Sequence, residues 1–505
     1  MLQVPNQQPP APTSHPMNRP DNYFSSREFK SNLQQYRHML QGNGHVYLES
    51  DALMDIAEYF ETVHRHDLAR ECVDYARSLH PDDDLPLIYS ARMTLDEGQP
   101  DKAIILANEV NDKNSYEYFL LRGEILIFQL ELNKANILFN QALKKIDEED
   151  VTDFISDVAA LYLDYEYPYR ALYWLGRIAA ESYDTRCRLL EAECHLTLEE
   201  YDKATESLKQ LLDHNPYELQ AWLLLAEAQY SATQYQQAVE SCDFALAIDP
   251  DNEQAWKIKG CAADDLHQSA TAHACYTRYL ERDPESAIIH LLDANCLLAQ
   301  GYPHEALGHL KQAGVLMRQQ NTPLDKTFIP LAKTYSQLGD MASAFEYVEK
   351  AIHAGYDRFE TDMVKIEIML YHDMKQEAMT LLVALLHQSD LSPNSYLKVA
   401  QLCFTYELYD LALTLFKHLA QNASLRHECY PYMAYIYRAR QDHDEYLRYL
   451  SMACVMNPDT TRTLFADIYP DTDVKYYPER ALKEKWQDTP SSKTQSPGHA
   501  EEKNK

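Results

Sequence analysis

A chain of 505 residues that is 46% apolar and 25% charged has the make-up of a folded protein, which excludes disorder throughout. Its 12 glycines fall well below the usual ~7%, which argues against turn-rich β and α/β folds and for an all-helical chain. With 78 acidic against 46 basic residues, the formal charge of −32 argues against nucleic acid and anionic membrane as main partners, since both need a basic face.

Residues 1–25 open the chain with a Pro- and Gln-rich stretch that has no apolar h-region, so they are expected to be disordered and to carry no secretory signal. Met17 stands as an alternative start, because nothing in Met1 to Pro16 specifies folding. Residues 26–47 read as a capping helix. Phe29, Leu33, Tyr36 and Leu40 share one face of Arg27 to Gln41, and Gly42-Asn43-Gly44 closes it.

From residue 48 to 459 one pattern recurs twelve times. Ala204, Ala238, Ala272 and Ala306 are 34 residues apart. Pro216, Pro250 and Pro284 keep that step, as do Trp222 and Trp256, and as do Ala226, Gly260 and Ala294. Each unit has a small or apolar residue 12 positions before a second one, from Ala57/Ala69 through Gly123/Ala135 and Ile366/Ala378 to Ala434/Tyr446. An apolar residue follows the second member by four, as Phe139 follows Ala135, which marks a buried helical stripe. The reading is two antiparallel helices per unit, with the small residues at the crossing. Extra residues near Asp147 to Asp150 and near Gln319 to Thr327 are expected to be loops between units. Residues 460–487 are expected to hold a C-terminal capping helix and tail, with Thr460 to Ile468 as an unpaired first helix and Val474 to Trp486 folding back. Residues 488–505 are polar and expected to be disordered.

The unit around Trp222 resembles the tetratricopeptide repeat. Trp222, Leu225, Ala226, Tyr235, Ala238, Ala245 and Pro250 stand where that motif has W, L, G, Y, A, A and P. The resemblance is strong between Ala192 and Ala306 and degenerate elsewhere. It implies a right-handed α-α superhelical solenoid with atypical, capping ends, and a groove on the stacked first helices as the usual ligand surface.

Sequence signatures of catalysis are missing. The chain has no G-x-G-x-x-G, G-x-x-x-x-G-K, G-x-S-x-G or H-E-x-x-H, so no cofactor, metal or catalytic residue is assigned. His64 and His66 lie at a turn and read as solvated, and His304 with His309 is a weaker pair still. Cys187 and Cys194 share a helix face and read as packing thiols, since a metal site needs further ligands. Asp82-Asp83-Asp84 and Asp147 to Asp150 precede first helices and read as solvated runs at helix N-termini. The ten scattered cysteines suggest a reducing compartment, and no apolar stretch is long enough to span a membrane, so a cytoplasmic location is expected.

Offsets −6, −3, +1, +4 and +5 from the first small residue are expected to face the groove. In the first seven units they hold Asp51, Glu58, Glu61, Asp96, Glu117, Glu124, Asp153, Asp164, Glu193, Glu227, Asp264 and Asp265, against Arg92, Arg186 and Lys257. In the last five units the balance is even. Family members that grip a C-terminal carboxylate use Lys and Asn where this chain has Glu58, Glu124, Glu193 and Glu227, so that adaptor role is disfavoured. Tyr435 has a groove offset within a tyrosine cluster and reads as an anchor or, more simply, as packing. The expectation is a non-catalytic scaffold binding a basic or mixed-charge protein or peptide, without nucleic acid or membrane insertion. Glu58, Glu61, Glu124, Glu193, Glu227, Asp264, Asp265 and Tyr435 are the candidate contacts. The alternatives are a peptide sensor whose curvature responds to ligand, and an enzyme, which would need a cluster of perturbed carboxylates or histidines in the groove.

Overall fold

The computed structural model describes residues 23–40, 46–63, 65–387 and 391–484. The expectations for residues 1–22, Gly42 to Gly44, His64 and residues 485–505 lie outside the described residues. Every regular element among the described residues is helical. The chain divides into two compact units at Pro284/Glu285.

The first unit begins with Arg27–Leu40, which buries Phe29, Leu33 and Tyr36. Seven helix pairs follow: Ser50–Thr62 with His66–Leu79, Leu85–Asp96 with Pro100–Glu109, Tyr116–Phe128 with Leu132–Ala142, Val151–Asp164 with Pro168–Leu175, Thr185–Thr197 with Tyr201–His214, Leu219–Ser231 with Tyr235–Ile248, and Glu253–Asp265 with Ser269–Leu280. The second unit holds five: Ala287–Ala299 with Pro303–Gln319, Phe328–Gln337 with Met341–His353, Arg358–Tyr371 with Lys375–Leu386, Pro393–Thr405 with Tyr409–Leu419, and Arg426–Ala439 with His443–Met456. Pro458–Phe465 and Tyr477–Lys483 then close it.

Local chemistry sets these boundaries. Ser115, Asp184 and Asn252 accept the backbone N–H of Tyr118, Cys187 and Ala255 at first-helix N-termini. Pro100, Pro168 and Pro303 open second helices, where a missing N–H costs no hydrogen bond. Trp222 and Trp256 each donate through Nε1 to the carbonyl of the proline six residues earlier, Pro216 and Pro250, at 2.9 Å. The shared period of tryptophan and proline is therefore one repeated hydrogen bond.

The crossing residues pack as their size demands. Ala57, Ala91, Ala159, Ala192 and Ala226 have no exposed surface, nor do their partners Ala69, Ala103, Ala171, Ala204 and Ala238. A Cβ at Gly123 would overlap the Phe139 ring, and one at Gly260 would overlap Tyr276. Glycine therefore stands at these two crossings because an aromatic ring fills the space from the second helix. Phe139 itself touches Phe154, Tyr162 and Trp174 edge-on, at centroid distances of 6.0, 6.1 and 5.9 Å.

The turn inside the pair is uniform in the eleven pairs after the first. Seven positions after the first crossing residue stand Gly98, Leu130, Glu166, Glu199, Thr233, His267, Gly301, Gly339, Asp373, Glu407 and Gln441, all at positive φ between 58° and 81°. The next residue's N–H bonds back to the carbonyl five residues earlier, as Glu131 to Leu126 at 2.8 Å, Gln234 to Gln229 at 2.8 Å and Asp442 to Tyr437 at 3.0 Å. This is the Schellman closure, which satisfies the last carbonyls of the first helix.

The closing helices of the second unit are held by a polar network. Tyr446 and Tyr469 share a 2.7 Å hydrogen bond, Tyr469 donates to Glu484 at 2.6 Å, and Arg438 pairs with the same carboxylate. Phe465 lies fully buried among Tyr435, Tyr446, Tyr469 and Tyr477.

Candidate functional site

The candidate acids sit on the first helices of the first unit, at different depths. Glu227 and Asp265 are exposed, and Glu61, Glu193 and Asp264 are half-buried. Glu58 and Glu124 are buried, with 1% and 3% exposure. They lie beneath the face on which the repeat offset placed them. Arg92 brings its Nε to 3.3 Å from a Glu124 carboxylate oxygen. Burial still holds Glu124 above the usual carboxylate range, more strongly than Arg92 lowers it. Glu61 pairs with the His66 imidazole.

These acids form a row in which each feels the next. Asp96 keeps an exposed surface, yet desolvation by its surroundings, Glu124 and Glu61 push it up to about 7. Burial, Glu124 and Glu193 push Asp164 up to about 8. Burial and Glu227 push Glu193 up to about 7. Glu61, Asp96, Glu124, Asp164, Glu193 and Glu227 thus run across six successive first helices, each coupled to its neighbour. Two of the three cations expected on this face are consumed inside the fold, Arg92 by Glu124 and Arg186 by Asp157. Arg92 thus answers one member of the row, Glu124, and Arg186 answers none of them.

The Asp82 to Asp84 run does more than line a loop. The Asp84 carboxylate accepts the backbone N–H of Asn111 and of Asp112, both at 2.8 Å, and so ties one inter-pair loop to the next. Cys187 and Cys194 are buried, with the Cys187 sulfur 3.4 Å from Ser156 Oγ. His309 lies 3.1 Å from His290 and 3.3 Å from the buried Asp293. Among the described residues no group of three or more His, Cys, Asp or Glu is placed to hold a metal, and no helix is long and apolar enough to cross a membrane.

Tyr435 is half-buried between Phe404 and Phe465, at centroid distances of 5.3 and 5.8 Å, so its ring belongs to the packing. The repeat offsets did not single out a cleft in the second unit lined by Asn295, Lys333, Glu367, Tyr371 and Tyr406. Its signal was present, since Asn295, Lys333 and Glu367 hold offset +1 and Tyr371 holds offset +5.

Residues 195–260, 259–314 and 329–353 match family models of the tetratricopeptide repeat. The chain thus carries tetratricopeptide repeats over those residues, a repeat that supports a protein-interaction scaffold in general. Among solved structures it is similar to a tetratricopeptide repeat protein from Parabacteroides merdae, at 14% identity and TM-score 0.40, over 48% of this chain and 95% of that one. It is also similar to MamA from Desulfovibrio magneticus RS-1, at 20% identity and TM-score 0.32, over 34% and 98%. MamA from MSR-1 matches at 20% identity and TM-score 0.31, over 34% and 99%. No curated protein sequence matches the chain.

Proposed function

We propose that the chain is a non-catalytic docking scaffold whose first unit binds a basic or mixed-charge segment of a partner protein along the first helices. The observation that carries this is the coupled carboxylate row from Glu61 to Glu227, which Arg92 meets at Glu124 while Arg186 is turned to Asp157 outside the row. Crowding of carboxyls on successive helices holds several of them partly protonated near neutral pH, and a cationic segment laid along the row favours their ionised form. Complementary charge of this kind acts mainly on encounter rate and partner choice.

Glu193, Glu227 and Asp265 are the contact residues to test. Glu124 is unsuitable, because a lysine there would bury a second cation against Arg92. A labelled peptide alternating lysine and alanine should bind the full chain at low salt and release as salt rises past ~0.2 M. The combined Glu193→Lys, Glu227→Lys, Asp265→Lys variant should stay folded by circular dichroism and bind at least ~10-fold more weakly. Undiminished binding by that variant would remove the row from the interface.

A second reading has one observation in its favour. Carboxylic acids raised towards neutrality, as Asp96 and Asp164 are, suit general acid chemistry. Against it stands their arrangement: they are strung along successive helices and not gathered around one reacting position. Retained turnover of an unidentified substrate in an Asp96→Asn, Asp164→Asn variant would leave catalysis without these acids.

A further inference from the structure

The second unit carries a cleft of different chemistry. Four successive first helices, Ala287–Ala299, Phe328–Gln337, Arg358–Tyr371 and Pro393–Thr405, contribute to a space of about 760 Å³ that Tyr406 also lines. Its two charged side chains, Lys333 and Glu367, bind each other at 2.8 Å, so the cleft presents no net charge. Several of its polar groups are already committed. Ser336 meets His372 at 3.1 Å, the Gln337 amide donates to the Leu298 carbonyl at 3.3 Å, and Thr405 donates to the Gln401 carbonyl at 3.0 Å. Among the described residues, the Asn295 amide and the Tyr371 and Tyr406 hydroxyls have no such partner. Tyr371 is 53% exposed.

We propose that this cleft docks an uncharged, proline-rich segment of a partner protein in the polyproline II conformation, with an apolar side chain at every third position. The argument is one of spacing and donors. The first helix Phe328–Gln337 packs against both Ala287–Ala299 and Arg358–Tyr371, and packed helix axes lie ~8–10 Å apart. A polyproline II segment repeats the same face every three residues, which at ~3.1 Å per residue is about 9.3 Å. It therefore keeps step with the helices, presenting one apolar side chain to each. A β-strand repeats its face every ~6.8 Å and falls out of step after one helix.

The polyproline II backbone has no internal hydrogen bonds, so its carbonyls need donors. The Asn295 amide and the two tyrosine hydroxyls supply them. Burial and the neighbouring Glu367 and Tyr371 push the Tyr406 phenol up to about 12, which keeps it a donor at neutral pH. Tyrosine rings are also the surface against which proline packs in known recognition of this conformation. Charge supports an uncharged occupant. The chain's charge of −32 repels an acidic one, and the cleft's own carboxylate is already paired with Lys333.

The test uses the full-length chain and a labelled peptide of repeated Pro-Pro-Leu triplets, followed by fluorescence anisotropy. Binding should change less than ~2-fold between low and high salt, since no charge is involved. Asn295→Ala and Tyr371→Ala should each weaken it at least ~5-fold while circular dichroism stays unchanged, because both side chains are exposed. Tyr371→Phe should fall between, having lost the hydroxyl alone. The Glu193→Lys, Glu227→Lys, Asp265→Lys variant should bind the peptide like the unaltered chain, so this result stands or falls separately from the carboxylate row. No binding, or binding untouched by Asn295→Ala and Tyr371→Ala, would overturn the proposal. So would preferential binding of a peptide of the chain's own proline-rich residues 3–18, which would make the cleft an intrachain site.

Discussion

Gly123 shows how one side chain dictates another. The Phe139 ring occupies the space a Cβ would take, and three aromatic neighbours hold that ring in place. Gly123→Ala should therefore destabilise by about 1–3 kcal/mol through overpacking, despite alanine's better helix propensity. Gly314, inside Pro303–Gln319, has open space where its Cβ would go. Gly314→Ala should instead stabilise by about 0.5–1 kcal/mol. Urea unfolding of the two variants checks the pair, and equal effects would place Phe139 elsewhere. The crossing positions were legible in the sequence because close approach of two helices admits few side chains. The depth of the acids was not. Glu124, Glu193 and Glu227 share one repeat offset, yet only Glu124 is buried against Arg92, and the offset carries no information about which neighbour covers it.

Among the elements, the turn inside each pair was hidden from the sequence although it repeats as faithfully as the crossing. Its constraint falls on backbone dihedrals and on the bond that closes the first helix, and the side chain at that position points into no shared core. Leucine, glutamate, threonine, histidine, aspartate and glutamine all stand there at positive φ. This explains how a chain with 12 glycines makes so many tight turns. The left-handed conformation costs an L-residue roughly 1–2 kcal/mol, and most for a β-branched one. Thr233 is exposed and sits at φ 60°. Thr233→Gly should raise the unfolding free energy by about 0.5–1 kcal/mol, the strain relieved less the entropy glycine adds to the unfolded chain. A loss of stability in chemical denaturation would show that threonine makes a contact there that outweighs the strain.

For the molecule as a whole, charge and stability are linked through the carboxylate row. Asp164 and Glu193, both half-buried, hold their protons in the fold up to about 8 and 7, whereas unfolded carboxyls lose theirs near ~4. A group raised in this way stabilises fully below the unfolded value, and its contribution is lost as pH rises through the folded one. The melting temperature should therefore fall by about 4 °C or more between pH 6 and pH 8.5. Asp164→Asn should lessen the fall, because asparagine has no proton to lose and relieves Glu124 and Glu193 of a like charge. A melting temperature that holds or rises over that range would contradict the burial of these acids. The acidic character of this face was legible from composition and repeat offset together. Its titration was not, because it depends on which helices cover each carboxyl.

In the docking role proposed above, the same row would make capture of a cationic segment a proton-exchange reaction. Near neutral pH these carboxyls are only partly ionised, so a lysine- or arginine-bearing segment that settles on them must drive protons into solution as it gains its ion pairs. The heat of association then includes the heat of the buffer taking up those protons. Calorimetry at pH 7 in Tris and in phosphate should give different apparent enthalpies, and the difference divided by the gap in buffer ionisation enthalpy counts the protons released. The count should shrink towards zero above pH ~9, where the row is already ionised. The protein would thus read the acidity of its surroundings through the strength with which it holds a cationic guest.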